Sequence, residues 1–294
     1  MAEMMTSSVS TPDDSGFAFR RKVKNHVMKA VLYGSATVTV SLLLFLIGYL
    51  TYKGSQYITI ELLTSQTSYI KGTIGILPNL VNTLYLIFIT MVLALPISIG
   101  AAVYLTEYAT NRKLVKLVEF AAGTLVGIPS IVFGLVGMLL FTQLMGLQQG
   151  LLAGGLTLVI MIMPTIMRTT QESLKSVPNA YREGALALGA GKWRTIRTVV
   201  LPNAVNGIVT GSILAVGRIV SESAALLFTA GFGLVLHGFI QSLEASSATL
   251  TVALYVYASE RGETGVAFAI ALILMIVTFI LNIAATYGAS KLKK

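Results

Sequence analysis

The chain has 294 residues, of which 55% are hydrophobic and only 11% charged, with a mean hydropathy of +0.80. Such a composition belongs to a protein that keeps most of its length in lipid, and it excludes an ordinary water-facing fold. The formal charge of +9 does not point to nucleic acid, because the basic residues sit in blocks beside apolar runs, the pattern that orients membrane helices. The absence of cysteine removes disulfides, thiolate metal sites and cysteine catalysis. His26 and His237 stand too far apart in sequence to suggest a metal centre. No cofactor is expected.

Residues 1–26 are polar and rich in Ser, Thr and Asp, and they end in the basic cluster Arg20, Arg21, Lys22 and Lys24. Residues 1–16 read as a flexible tail. The apolar run 30–52 is long enough to span a bilayer. It exceeds a secretory signal core and lacks an A-x-A-like end, so it reads as a retained first helix. A second span covers 80–105 with Pro96 inside it, a third 120–141 with Pro129, and a fourth 151–170 with Pro164. Proline inside a spanning helix frees a carbonyl that neighbouring helices or water must satisfy. Three such spans in succession suggest a bundle packed around a pathway. Gly127, Gly134 and Gly137 in the third permit close helix approach.

The fourth span gives way to the longest polar interruption in the second half of the chain, residues 171–202. It does not read as a disordered loop. Pro178 suits a first helical turn, and good helix formers follow to Leu188, Gly184 excepted. Gly189, Ala190 and Gly191 break that helix, and a second short one runs from Lys192 to stop at Leu201 and Pro202. The spacing predicts a helix–turn–helix hairpin over 178–202. Leu186, Leu188, Trp193 and Ile196 make it too apolar to be left in water, so something is expected to cover it.

A fifth span covers 203–228 and passes through Arg218 and Glu222, and a sixth covers 266–287, followed by Lys291, Lys293 and Lys294. Between them, the Gly231 region and 248–258 read as re-entrant or surface segments on the outer side. The expected fold is therefore an all-α membrane protein with six transmembrane helices. With six crossings, seventeen basic residues fall on the side of both termini and the hairpin, and three (Lys53, Lys71 and Arg261) on the other. This bias places the termini and the hairpin in the cytoplasm.

Arg218 and Glu222 stand four apart, which on a continuous helix puts them on one face. Ionised groups at that depth are costly and usually face a bundle interior or a wet cavity. One reading is a mutually neutralising pair that fixes helix packing. The other is a pathway in which Arg218 binds a passing oxyanion through its planar fork. Glu222 then limits how tightly it is held, and Ser221, Ser223 and Thr229 offer neutral donors. The chain has no nucleotide site of its own. The nearest approach to a phosphate-binding loop, at Gly191 and Lys192, has Leu186 where glycine is needed and Trp193 where Ser or Thr is needed.

The hairpin resembles the EAA motif of ABC importer permeases: Glu-Ala-Ala, three residues, Gly, nine residues, an aliphatic, any residue, Leu-Pro. Glu183, Gly184, Ala185, Gly189, Val199, Leu201 and Pro202 fall at that spacing, with Gly184 in place of the first Ala. The resemblance implies that this hairpin docks into a groove on a separate ATPase subunit and passes its movement to the pore. Four further segments are similar to the phosphate permeases of that family: GRIVSESAALLFTAG (217–231), GIPSIVFG (127–134), LLAGGLTL (151–158) and MPTIMRTTQESLKSVP (163–178). Arg218 and Glu222 keep the Arg and Glu of that pattern. Ser221 stands where Gly is usual, Ser223 where Thr is usual, and Ala225 where Pro is usual.

What the resemblance implies is a non-enzymatic membrane subunit of an inorganic phosphate importer in the bacterial inner membrane. Its partners would be a homologous permease, two copies of an ATPase subunit and an external phosphate-binding protein. The substrate pathway would include Arg218, Glu222, Ser221, Ser223 and Ser130. Two other readings stay open: a permease for another oxyanion such as molybdate or sulfate, and a membrane partner that relays phosphate status to signalling proteins.

Overall fold

A computed structural model describes residues 14–68 and 72–291. Most of the expected flexible tail, together with Lys71, Lys293 and Lys294, lies outside the described residues. The chain divides into two units, 1–52 and 53–294. The first is formed by most of α1 (Asp14–Ser55). This helix begins before the apolar run, so residues 14–16 and the cluster of Arg20, Arg21, Lys22 and Lys24 are helical rather than part of a coil. The local reason is composition: after Gly16 the segment contains no Gly or Pro for more than four turns, and Arg, Lys, Ala and Met favour helix. Val31, Leu42, Leu44 and Phe45 are all exposed, as befits a helix whose every face is apolar.

The second unit opens with α2 (Ile60–Thr64) and a two-stranded antiparallel ribbon, β1 (Gln66–Ser68) and β2 (Thr73–Ile76), paired Gln66 to Ile76 and Ser68 to Thr73. The all-helical expectation missed this ribbon, which is short and held in part by side chains. Thr67 Oγ1 donates to Gly75 O at 2.9 Å and lies 2.8 Å from the Tyr257 hydroxyl. Next comes α3 (Leu77–Val103), which continues into a π-helical stretch, Tyr104–Tyr108. It is followed by α4 (Arg112–Val126) and then α5 (Ser130–Gly137) with the π-helical Met138–Leu144. α6 (Leu151–Ser176) leads into α7 (Asn179–Ala187) and α8 (Lys192–Thr195), and a π-helical stretch, Ile196–Val200, joins α8 to α9 (Leu201–Ser221). The chain ends with α10 (Ala224–Thr229), α11 (Phe239–Glu244), α12 (Leu250–Tyr255) extended by Val256–Glu260, and α13 (Thr264–Lys291).

Among the described residues, five helices are long and apolar enough to cross a membrane: Arg20–Ser55, Leu77–Tyr108, Leu151–Ser176, Lys192–Ser221 and Thr264–Tyr287. A sixth span is present if Arg112–Val126 and Ser130–Leu144 are taken together, but that pair is bent by 104°. The expected third span, 120–141, is therefore not a straight helix with a proline inside it. Gly127 ends α4, and its N–H and that of Ile128 turn back to Thr124 O and Leu125 O at 3.1 and 3.2 Å. Pro129 then caps α5 in an extended conformation with no N–H to continue the ladder.

α6 is the axis of the second unit, packed by α3 and α9. Small residues set its spacing. A Cβ on Gly155 would come 3.0 Å from Ile89 of α3, and Cβ atoms on Gly207 and Gly211 of α9 would run into Ser173 and Thr169 of α6. Such glycines let backbones approach where lipid offers no hydrophobic drive between helices. Gly134 does the same for α5, where a Cβ would lie 2.7 Å from Ala225 Cα of α10. The segments between α9 and α13 are not surface decoration. Ala225, Leu226 and Ala230, like Leu250, Val252, Ala253 and Tyr257, are buried. At the start of α3, Asn79 and Asn82 both donate to Ala248 O, at 3.0 and 3.2 Å, and Thr83 Oγ1 accepts from Leu250 N at 2.9 Å. This polar clasp holds non-helical backbone inside protein, the condition for tolerating it at membrane depth.

Candidate functional sites: the hairpin and the break after Arg218

At one end of the bundle, α6 stops at Ser176, and two extended residues, Val177 and Pro178, lead into α7. Gly189 ends α7 with φ +82°, and Gly189 N and Ala190 N return to Leu186 O and Ala185 O at 2.9 and 3.1 Å. That left-handed position is the reason for glycine here, since an L residue is strained there by about 1–2 kcal/mol. Glu183 and Gly184 are exposed, Ala185 is half-buried, and nothing lies within 4 Å of a Cβ placed on Gly184. The second half of the hairpin departs from expectation. α8, the π stretch and α9 form one continuous helix, Lys192–Ser221, so Leu201 and Pro202 do not end it. The wider turn absorbs the proline: Leu201 N reaches back to Ile196 O, and Asn203 Nδ2 donates to Val199 O at 2.7 Å.

Four apolar hairpin residues were expected to need cover, and their fates differ. Ile196 is 1% exposed and packs in an internal cluster with Ala102, Val103, Leu174, Val177 and Val200. Leu186, Leu188 and Trp193 are 51%, 90% and 57% exposed, and Tyr181 of the same hairpin is exposed as well. Val199 and Leu201 are half-buried and Pro202 is exposed. The hairpin therefore stands on one apolar cluster and presents a second apolar surface outward. Large apolar side chains left exposed together on one short hairpin point to an interaction site.

Arg182, which the motif does not include, holds the hairpin down. Its Nη2 lies 2.7 Å from Glu107 Oε1, its Nε 3.2 Å from the same oxygen, and its Nη1 donates to Val177 O at 2.7 Å. The two residues are 75 apart in the sequence, and no local signal pairs them.

The second site lies deeper in the bundle. Gly211 sits against Thr169, so Arg218, about two turns further along α9, is level with the middle of α6. Its Nη1 is 3.4 Å from Thr165 Oγ1, next to Pro164, and the side chain is only part-buried. α9 then ends at Ser221, and Glu222 is extended, with φ −82° and ψ 126°. The expectation that Arg218 and Glu222 share one face of a continuous helix is therefore corrected, and among the described residues no ion pair joins them. Glu222 is 8% exposed and serves the backbone instead, its Oε1 accepting from Ala225 N at 3.0 Å at the start of α10. Thr251 Oγ1 donates to Glu222 O at 2.8 Å and satisfies backbone that the break sets free.

The remaining predicted residues are spread around this break. Exposed Ser221 donates to Gly217 O at 2.9 Å, half-buried Ser223 precedes α10, and Thr229 Oγ1 donates to Ala225 O at 2.9 Å. Half-buried Ser130 starts α5, whose Gly134 meets Ala225 of α10.

A bundle of long apolar helices, carrying an exposed helical hairpin at one end and a part-buried arginine within, is the architecture of a transport permease. The chain belongs to the family of binding-protein-dependent transport system inner membrane components, which matches residues 94–294. It is 36% identical over 211 residues to the probable ABC transporter permease protein YqgI of Bacillus subtilis, covering 72% of each chain. It is 31% identical over 274 residues to the phosphate transport system permease protein PstA 1 of Mycobacterium tuberculosis, covering 90% of this chain and 88% of that one. With PstA of Haemophilus influenzae the identity is 32% over 240 residues, 81% of this chain and 83% of the relative.

Among solved structures, a bacterial alginate ABC transporter in complex with an alginate pentasaccharide-bound periplasmic protein contains a chain that superposes with a TM-score of 0.68 at 15% identity. The match covers 94% of this chain and 98% of that one. A chain of the inward-facing MetNI methionine ABC transporter superposes with a TM-score of 0.58 at 20% identity, covering 75% and 95%. These likenesses establish the fold, that of an ABC type I importer permease.

Proposed function

We propose that this chain is the membrane permease subunit of an ATP-driven inorganic phosphate importer. The observation that carries the reading is its 31% identity, over 90% of its length, to a phosphate transport system permease. On this reading a PstC-like homologous permease completes the pathway, two copies of a PstB-like ATPase subunit receive the hairpins, and a PstS-like external protein delivers phosphate. Hydrolysis then belongs to the separate subunit, consistent with the lack of a phosphate-binding loop in this chain's sequence. Both termini and the hairpin are cytoplasmic, a placement supported by the seventeen-to-three bias of basic residues.

Arg218 is the proposed transient anchor for the crossing anion, because its guanidinium is part-buried, has among the described residues only the Thr165 hydroxyl, at 3.4 Å, and donates paired hydrogen bonds well matched to an oxyanion. Ser221, Ser223 and Ser130 are the proposed neutral donors along the route. Glu222 acts by holding the break in which Ser221 and Ser223 sit, through its bond to Ala225 N. Transport of radiolabelled phosphate into proteoliposomes that contain the purified complex tests the substrate. Unlabelled phosphate is expected to compete, while sulfate and molybdate at the same concentration leave uptake unchanged. Equal competition by either of those anions would reassign the substrate.

A further inference from the structure

We propose that Arg182 is a positioning residue which, through Glu107, locks the hairpin to the ends of two spans so that motion of the docked hairpin is delivered to both. The inference rests on the coupling role proposed above, but its grounds are separate. α7 buries none of its own residues, and only two extended residues, Val177 and Pro178, connect it to α6. Beyond that linker α7 rests on α8 and the π-helical stretch Ile196–Val200, and neither contact ties it to α3 or α6.

The Arg182 guanidinium supplies that tie. Nε and Nη2 engage Glu107, Nη2 also donates to Leu174 O at 2.8 Å, and Nη1 donates to Val177 O at 2.7 Å. Leu174 and Val177 carry carbonyls at the C-terminal end of α6, where intrahelical donors run out. One side chain therefore joins α7 to the last turn of α6 and to the π-helical end of α3. The Arg182 and Glu107 side chains are 18% and 10% exposed, against 57% and 35% for the ion pair of Lys175 and Glu119. Salt and water screen so enclosed a pair weakly.

A second tie lies beside it. Lys192 Nζ, at the start of α8, stands 4.8 Å from the ring centroid of Tyr108, the residue after Glu107. Both helices of the hairpin are thus fastened to one stretch, Tyr104–Tyr108, above the buried cluster of Ile196, Val200, Val103 and Leu174. The outward face, Leu186, Leu188 and Trp193, takes no part in these contacts and stays available for docking.

The test uses the full complex in proteoliposomes, with phosphate uptake and ATP hydrolysis measured together for Glu107→Gln, Arg182→Gln, the double variant and Arg182→Lys. The ratio of phosphate moved to ATP hydrolysed is expected to fall about fivefold or more in each Gln variant, the size of a typical coupling between sites. The double variant is expected to be no worse than Arg182→Gln alone, because both changes break the same link. Arg182→Lys keeps the charge but not the fork, and its ratio is expected to fall between wild type and Arg182→Gln. A merely structural role would lower uptake and hydrolysis together and leave the ratio unchanged, and that result would overturn the proposal. Should the Gln variants not assemble, Arg182→Lys carries the test alone, and a wild-type ratio in it has the same meaning. Failure of the wild-type complex itself to couple hydrolysis to uptake would instead refute the transport reading on which the inference stands.

Discussion

Leu188→Glu is expected to weaken association of this chain with its ATPase subunit by about 30-fold or more, the loss typical of a central apolar contact, or about 2 kcal/mol. Leu188 is 90% exposed at the tip of the hairpin, close in sequence to Leu186 and Trp193. A carboxylate there is harmless in the free chain, since the side chain has little of its own protein to disturb. In a docked groove the same carboxylate must be desolvated without a partner, which is far more costly. Pull-down of the ATPase subunit with the tagged permease measures the first effect, and thermal unfolding of the solubilised permease measures the second. The expected outcome is a lost partner with an unchanged unfolding temperature. Full recovery of the ATPase subunit would mean that this apolar surface is not the dock.

Arg218→Gln is expected to reduce phosphate uptake by about 10- to 100-fold, corresponding to one or two charge-assisted hydrogen bonds of about 1.5–3 kcal/mol in total. Glutamine is shorter and uncharged but keeps one NH2 donor, and among the described residues the native contact it forfeits is a 3.4 Å approach to Thr165 Oγ1. Folding and assembly are therefore expected to persist, and the permease should still bring down its ATPase subunit. Uptake in proteoliposomes, set against co-purification of the same preparation, separates the two. Uptake within about twofold of wild type, a change near the thermal energy, would remove Arg218 from the pathway. The signalling alternative is checked in the same variant: a phosphate-status output that persists while uptake is lost would separate the two roles.

The membrane class and the hairpin were legible in the sequence through different physics. Length and hydropathy of the apolar runs suffice for spans because lipid demands them of any sequence. The hairpin was legible because Pro178 and Gly189 punctuate it, and the φ of +82° at Gly189 is a demand that glycine alone meets without strain. The errors fall where tertiary partners override local signals. The bend at Gly127 and Pro129 carries both breaker residues, yet hydropathy runs smoothly across it, so 120–141 reads as one span.

The break at Glu222 is harder still. Ser221 and Ala225 put neither Gly nor Pro at the break, so the local marks of a broken helix are missing here. The break is held instead by Thr251, 29 residues on, and by the Glu222 carboxylate over Ala225 N. Pro202 misled in the opposite sense, because a π turn and Asn203 let the helix run through it. The contact between Glu107 and Arg182 spans 75 residues. Spacing rules carry no information at that separation.

The most direct test of the account is ATP turnover by the complex purified through this chain and reconstituted in proteoliposomes. With the external binding protein present, adding phosphate is expected to raise hydrolysis and to drive phosphate inward, and Leu188→Glu is expected to abolish both. Phosphate flux that continues through this chain with no ATP-hydrolysing subunit in the preparation would contradict the account.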